Sequence, residues 1–108
     1  MPVAGDGEVD LTMVTMAFDA VDPDALQSVL ARYVVVSRGQ AGCRNIDLCL
    51  STTQLNRFVV VQKWETPADQ RAHFDSDAMV TMAQSCDGLL IGPPEIDLLE
   101  PISAHDLH

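Results

Sequence analysis

Residues 57–79 read RFVVVQKWETPADQRAHFDSDAM, and the fold turns on them. Arg57–Glu65 is rich in β-branched and aromatic residues and reads as a strand. Thr66-Pro67-Ala68-Asp69 follows, with a hydroxyl cap, a proline at the first helical position and an acid three residues past the cap, close to a capping box. The helix it opens ends near Ser76, which can itself cap another. There Met79, Met82, Ala83 and Cys86 recur at helical spacing until Gly88 stops them. The stretch predicts a strand followed by two consecutive helices.

Working outward, Val9–Phe18 alternates and reads as the first strand. Asp22-Pro23 then supplies a cap and an N1 proline, and Leu26, Val29, Leu30 and Tyr33 recur at helical spacing up to a stop at Gly39. The run Val34-Val35-Val36 resists a helix, but caps and periodicity outweigh it. Gly42 opens a strand over Cys43–Ser51, where Ile46, Leu48 and Leu50 share a face, and polar Thr52–Asn56 is a turn. Past the Pro93-Pro94 break, Glu95–Ser103 is the last strand. The order βαββααβ predicts a ferredoxin-like α+β fold, a four-stranded antiparallel sheet with its helices on one face. The single domain spans residues 9–103, with flexible tails at 1–8 and 104–108.

Composition narrows the function. The 108 residues make one domain, 47% hydrophobic and 20% charged, and six Lys+Arg against 16 Asp+Glu give a net charge of −10. Nucleic acid and anionic membrane both need clustered cations, so neither is an expected partner. No apolar run approaches the ~20 residues of a membrane span. The opening MPVAGDGEVD has no basic or apolar signal region, so a cytoplasmic location is expected. Cys43, Cys49 and Cys86 form neither a redox motif nor a metal cluster. They read as small buried hydrophobes in a reducing compartment, the first two on one strand face.

The sheet is apolar on both faces. Strand 1 sets Val9, Leu11 and Met13 against Val14, Met16 and Phe18, and strand 3 sets Phe58, Val60 and Trp64 against Val59 and Val61. Helices cover only one face, so a second copy of the sheet is the expected cover, giving a homodimer. All six basic residues lie between Arg32 and Arg71, which would let the acidic last strand of one subunit meet the basic middle of the other.

No dinucleotide, phosphate-loop, zinc-protease or serine-hydrolase motif is present, and no cofactor or metal is expected. Of three histidines, His105 and His108 are terminal. The chemistry-bearing cluster is Trp64, Glu65, His73 and Phe74. Trp64 reads as a cavity wall for a flat ligand or as a core aromatic, and His73 as a general base near neutral pH or as a half-exposed helix residue bonded to a backbone carbonyl. Tyr33, Phe58, Gln62, Phe74, Met79 and Met82 are the candidate substrate-binding residues of an apolar cavity expected between helices and sheet, walled by Trp64 and Phe74.

The segment from Phe58 through Trp64 to Ala68, followed by His73-Phe74-Asp75-Ser76, resembles the antibiotic biosynthesis monooxygenase domain. Family members show a tryptophan closing strand 3, an alanine shortly after, then His-Phe and Ser at the helix junction. Gly42-Cys43 is similar to the family's entry to strand 2. The resemblance covers residues 9–103 and implies a dimeric α+β barrel. It also implies a cofactor-independent monooxygenase or quinol oxidase acting on a phenolic or aromatic small molecule and molecular oxygen, with Trp64 and His73 catalytic. Haem-degrading members need a histidine in helix 3 and an asparagine in strand 1, and this chain has neither. The polyketide oxygenases place an asparagine, a tyrosine and an arginine where this chain has Val60, Gln70 and Gln84. The same residues also describe a non-catalytic, ligand-binding dimer.

Overall fold

The computed structural model describes residues 11–103. Its elements are β1 (Thr12–Asp19), α1 (Pro23–Ser37), β2 (Cys43–Leu50), β3 (Arg57–Trp64), α2 (Pro67–Phe74), α3 (Asp77–Ser85) and β4 (Glu95–Leu99). The strands are antiparallel in the order β2-β3-β1-β4, so the fold is the expected ferredoxin-like α+β. Each helix begins at its expected cap. Asp22 Oδ1 accepts the Ala25 N–H at 3.2 Å, Thr66 Oγ1 that of Asp69 at 3.1 Å, and Ser76 Oγ that of Met79 at 3.3 Å.

Strand alternation decides the core. Val14, Met16 and Phe18 of β1, Ile46 of β2, and Phe58, Val60 and Trp64 of β3 are all buried, packed with Leu26, Leu30, Tyr33 and Val34 of α1 and Met79 and Met82 of α3. A fully buried side chain such as Leu26 or Leu30 contributes about 1.5–3 kcal/mol of transfer energy. The valine run stays helical, with Val34 in the core and Val35 and Val36 facing water.

Several boundaries differ from the sequence reading, each for a local reason. Helix α1 is capped by Arg38 in a right-handed conformation, and Gly39 is not left-handed. Arg38 Nη2 instead donates to the Ile46 carbonyl at 2.8 Å, tying the helix end to β2. The glycine the fold requires is Gly42, with φ +81°, where a Cβ would lie 2.3 Å from Asp69 Cγ. Strand β4 ends at Leu99, not Ser103, because Pro101 has no N–H to continue a ladder. Val9 and the tails expected at 1–8 and 104–108 lie outside the described residues, as do His105 and His108.

A bulge between Cys43 and Asn45 shifts the β2–β3 register, pairing Cys43 with Trp64 but Cys49 with Val59. The extra residue reverses the alternation, so the two cysteines lie on opposite faces rather than one. Cys86 is buried, Cys43 half-buried and Cys49 exposed. Only Cys86 fits the expectation of a buried small hydrophobe.

The face away from the helices carries Met13, Thr15, Ala17, Val59 and Val61, all half-buried in the single chain. Strand β4 pairs Ile96 with Met16 and Leu98 with Val14. Both therefore point to the helix side, yet they are 41% and 59% exposed, because the helices pack towards β2 and β3. At the far end of the sheet, Arg57 grips Asp19 through two bonds of 2.8 Å and reaches Glu95 at 3.3 Å. The first acid of β4 thus meets a basic residue of its own chain. Among the described residues no helix is long and apolar enough to cross a membrane.

Candidate functional site

Helix α2 inverts the usual pattern. It buries Gln70 and His73 and leaves Phe74 43% exposed. A polar inward face breaks the rule that cores are apolar, and such breaks mark candidate sites. His73 lands on Trp64, the last residue of β3, with ring centroids 4.5 Å apart and planes 27° from parallel, an offset stack.

Beneath this stack runs a chain of hydrogen bonds that elementary donor rules orient. Trp64 Nε1–H only donates, and it meets Gln62 Oε1 at 2.8 Å. That places the Gln62 amide nitrogen on the other side, donating to Tyr33 Oη at 2.7 Å. Gln40 Oε1 only accepts, so the neutral His73 ring turns Nδ1–H towards it and takes the single proton of Tyr33 at Nε2, 2.6 Å away and a better acceptor than the Met79 thioether. Nε2 is therefore the bare nitrogen, and Nδ1–H donates to Gln40 Oε1 at 2.7 Å. Polarity thus runs one way, from Trp64 through Gln62, Tyr33 and His73 to Gln40. Met79 Sδ lies 3.2 Å from the Tyr33 hydroxyl.

Trp64, Gln62, Tyr33 and His73 are each at most 3% exposed, and burial sets their protonation. Loss of hydration pushes His73 down to about 4, so it is neutral at physiological pH rather than poised near it. Burial pushes Tyr33 up to about 12, partly opposed by the hydrogen bond from Gln62. The cluster is uncharged, with a proton shared between a phenol and an imidazole. Burial likewise pushes the thiols of Cys43 and Cys86 up, away from the reactive thiolate.

A groove of about 350 Å³ opens between α1 and α3. Helix α1 contributes Ser28, Val29, Arg32, Tyr33 and Val36, and α3 contributes Asp77, Ala78, Thr81, Met82 and Ser85. Both sets have the spacing i, i+1, i+4, i+5, i+8, one stripe per helix, about 12 Å long at 1.5 Å per residue. Tyr33 is the one member of the hydrogen-bonded chain that also lines this groove.

The structure brings together Trp64, His73, Tyr33, Gln62, Met79 and Met82 from the sequence-derived set. Phe58 lies apart, six residues along β3 from Trp64 and about 20 Å away, paired with Phe18. Phe74 turns outward and does not wall a space with Trp64. The space between helices and sheet, where an apolar cavity was expected, is occupied by the Trp64–His73 stack and its partners, and the opening lies between α1 and α3 instead. Gln40, which ends the chain of bonds, carried no sequence signal because it sits in a turn without periodicity. The matching stripes of α1 and α3 were readable, but only a known adjacency of the two helices gives them meaning. Among the described residues no cluster of His, Cys, Asp and Glu could hold a metal ion.

Comparison with known proteins places these features. The family model for antibiotic biosynthesis monooxygenase matches residues 12–85. No curated protein matches the chain in sequence. Among solved structures, Rv0793 from Mycobacterium tuberculosis is 23% identical with a TM-score of 0.78, over 87% of this chain and 97% of that one. SnoaB, a cofactor-independent oxygenase from Streptomyces nogalater, is 19% identical with a TM-score of 0.78, over 88% and 96%. NE2512 from Nitrosomonas europaea, a protein of unknown function, is 18% identical with a TM-score of 0.82, over 94% and 99%. At these identities the structures share a fold with this chain. With the family model spanning most of the chain, from β1 to the end of α3, the protein belongs to the antibiotic biosynthesis monooxygenase family.

Proposed function

We propose that the protein is a cofactor-independent monooxygenase or quinol oxidase. Its substrate is a phenolic aromatic seated in the α1–α3 groove against Tyr33 and Met82. The observation that carries this reading is the double position of Tyr33, at once a groove wall and the middle of a buried proton-holding chain.

Ground-state oxygen is a triplet, so its direct reaction with a closed-shell molecule is spin-forbidden in one step. A phenolate or anthrone anion avoids the barrier by giving up one electron before the radicals combine. The protein's part is to remove a proton and keep water away. A substrate hydroxyl can pass its proton to Tyr33 Oη while Tyr33 passes its own to His73 Nε2. This leaves a substrate anion and an imidazolium still bonded through Nδ1–H to Gln40. Because burial makes His73 a poor proton holder, the proton returns readily when reduced oxygen needs it. A hydroquinone and O₂ then give quinone and H₂O₂; an anthrone methylene and O₂ give the ketone and water. Trp64 positions the relay, stacking on His73 and fixing the orientation of Gln62.

A homodimer through the helix-free face belongs to the same reading. Met13, Val59 and Val61 offer it an apolar surface, and Leu99 of β4, paired with Met13 and 38% exposed, extends the area that a second copy would bury. A binding protein of the same fold is the second reading, favoured by the complete internal satisfaction of the Trp64-to-Gln40 chain.

Oxygen uptake by the metal-stripped protein with a panel of hydroquinones and anthrones separates the two. Uptake above the autoxidation blank, lost in Trp64→Phe and Tyr33→Phe, supports the oxygenase. Absence of uptake across the panel, with measurable ligand binding, favours the binding protein.

A further inference from the structure

Ser37 is a buried polar group that the proton relay leaves out. It is 0% exposed at the end of α1, and among the described residues its Oγ is the one buried side-chain polar atom without a hydrogen-bond partner. A helical serine ordinarily returns its proton to the carbonyl one turn back, but Ser37 makes no such bond. An unpaired buried hydroxyl destabilises a fold, so its place calls for an explanation. Along the chain, Ser37 stands one helical turn after Tyr33 and three residues before Gln40. Those two residues hold the opposite nitrogens of His73.

The hydrogen bonds of Tyr33 Oη leave a matching gap. A phenol oxygen donates one proton and offers two lone pairs. Here the proton goes to His73 Nε2, and one lone pair takes the Gln62 N–H. Met79 Sδ, 3.2 Å away, has no proton to give the other. Burial raises the Tyr33 titration, and the Ser37 hydroxyl, together with the Gln62 amide, opposes that rise from its place beside the phenol.

We infer that Ser37 is a positioning residue of the relay, the second donor to Tyr33 Oη once that oxygen carries negative charge. The inference rests on the relay reading and deepens it. When Tyr33 gives its proton to His73 Nε2 ahead of receiving one from the substrate hydroxyl, charge builds on Oη. Gln62 Nε2–H and Ser37 Oγ–H then both donate to it, preset donors aimed at a developing charge. While the phenol is neutral the serine bond is unmade, so the orphan hydroxyl destabilises the resting state and is satisfied only in the charged one.

The protein has one tyrosine, so its ionisation can be followed by absorbance alone. Replacing it with 3,5-difluorotyrosine, a more acidic phenol, brings the titration down from about 12 into a range where the fold persists. In Ser37→Ala the titration should move about one pH unit higher, a tenfold loss for one hydrogen bond to a charged oxygen. Urea stability at pH 7 should be kept or raised, because the orphan hydroxyl is gone and alanine favours helix. Ser37→Cys, a weaker donor of similar size, should titrate in between. Cys43, whose ionisation would oppose that of Tyr33, is common to all three proteins. A purely structural serine would change stability and leave the phenol alone, so titrations of both variants that coincide with the wild type, or move lower, overturn the inference. Oxygen uptake with hydroquinones, run in parallel, should show kcat/KM about tenfold lower in Ser37→Ala. No uptake by the wild type sinks the oxygenase reading and leaves the titration to judge Ser37, whereas uptake with an unmoved titration sinks the Ser37 assignment alone.

Discussion

Lowering the pH from 7 to 4 should unfold this protein's margin of stability through one side chain. In the unfolded chain a histidine takes up its proton near 6.5, whereas folded His73, kept neutral by burial, resists until about 4. Below pH 6.5 the unfolded state therefore binds more protons than the folded state, and stability falls with pH until the folded imidazole also titrates. At about 1.4 kcal/mol per pKa unit, the loss over this window is on the order of 3 kcal/mol, large against the 5–15 kcal/mol of a typical domain. Asp19, held below its ordinary range by the Arg57 hydrogen bonds, acts in the same direction but only below about pH 4. Self-repulsion of a chain at −10 acts the other way, because protonation of acids relieves it. Urea unfolding at half-unit steps from pH 7 to 4.5, for the wild type and His73→Gln, isolates the term. Glutamine keeps an acceptor for Tyr33 but does not titrate, and His105 and His108 are common to both proteins. The variant should start less stable and stay nearly level while the wild type falls towards it. Parallel curves would show that His73 is hydrated in the folded state and would remove the basis for its neutral tautomer.

Tyr33→Phe removes the proton bridge and strands the Gln62 amide and His73 Nε2. It should lower kcat/KM with hydroquinones about 10²–10⁴-fold and cost about 1–3 kcal/mol of stability; unchanged turnover would exclude the relay. Trp64→Phe frees the Gln62 amide to rotate, so kcat should fall more than KM rises, and an unaltered kcat would deny it a positioning role. Gly42→Ala meets both a left-handed φ and the Asp69 side chain. A loss of about 1–3 kcal/mol is expected, partly restored by Asp69→Ala in the double variant; additive losses would show that the collision does not matter. Val61→Lys, on the helix-free face, should yield folded monomers by sedimentation if the sheets pair there, and an unchanged dimer mass would move the interface elsewhere.

Much of the fold was legible because local chemistry writes it. Asp22, Thr66 and Ser76 cap their helices through their own side chains, two followed directly by a proline, and the alternation in β1 and β3 needs no distant information. Local rules failed where one inserted residue or one distant contact intervened. The bulge at Arg44 reversed the face of Cys43, and Arg38 did the work expected of Gly39. Phe74 read as a cavity wall because aromatic residues favour interiors, yet the phase of α2 turned it to water and buried His73.

The sequence alone determined the element order, the helix-capped sheet and the family to which the chain belongs, since each rests on periodicity, caps and a linear motif. Tertiary structure decided the rest. It joined Tyr33 of α1 to His73 of α2 and Gln62 of β3, and it made the groove from two helices distant in the chain. Burial among those neighbours, which no linear pattern encodes, fixed the tautomer of His73 and moved its titration from near neutrality to about 4.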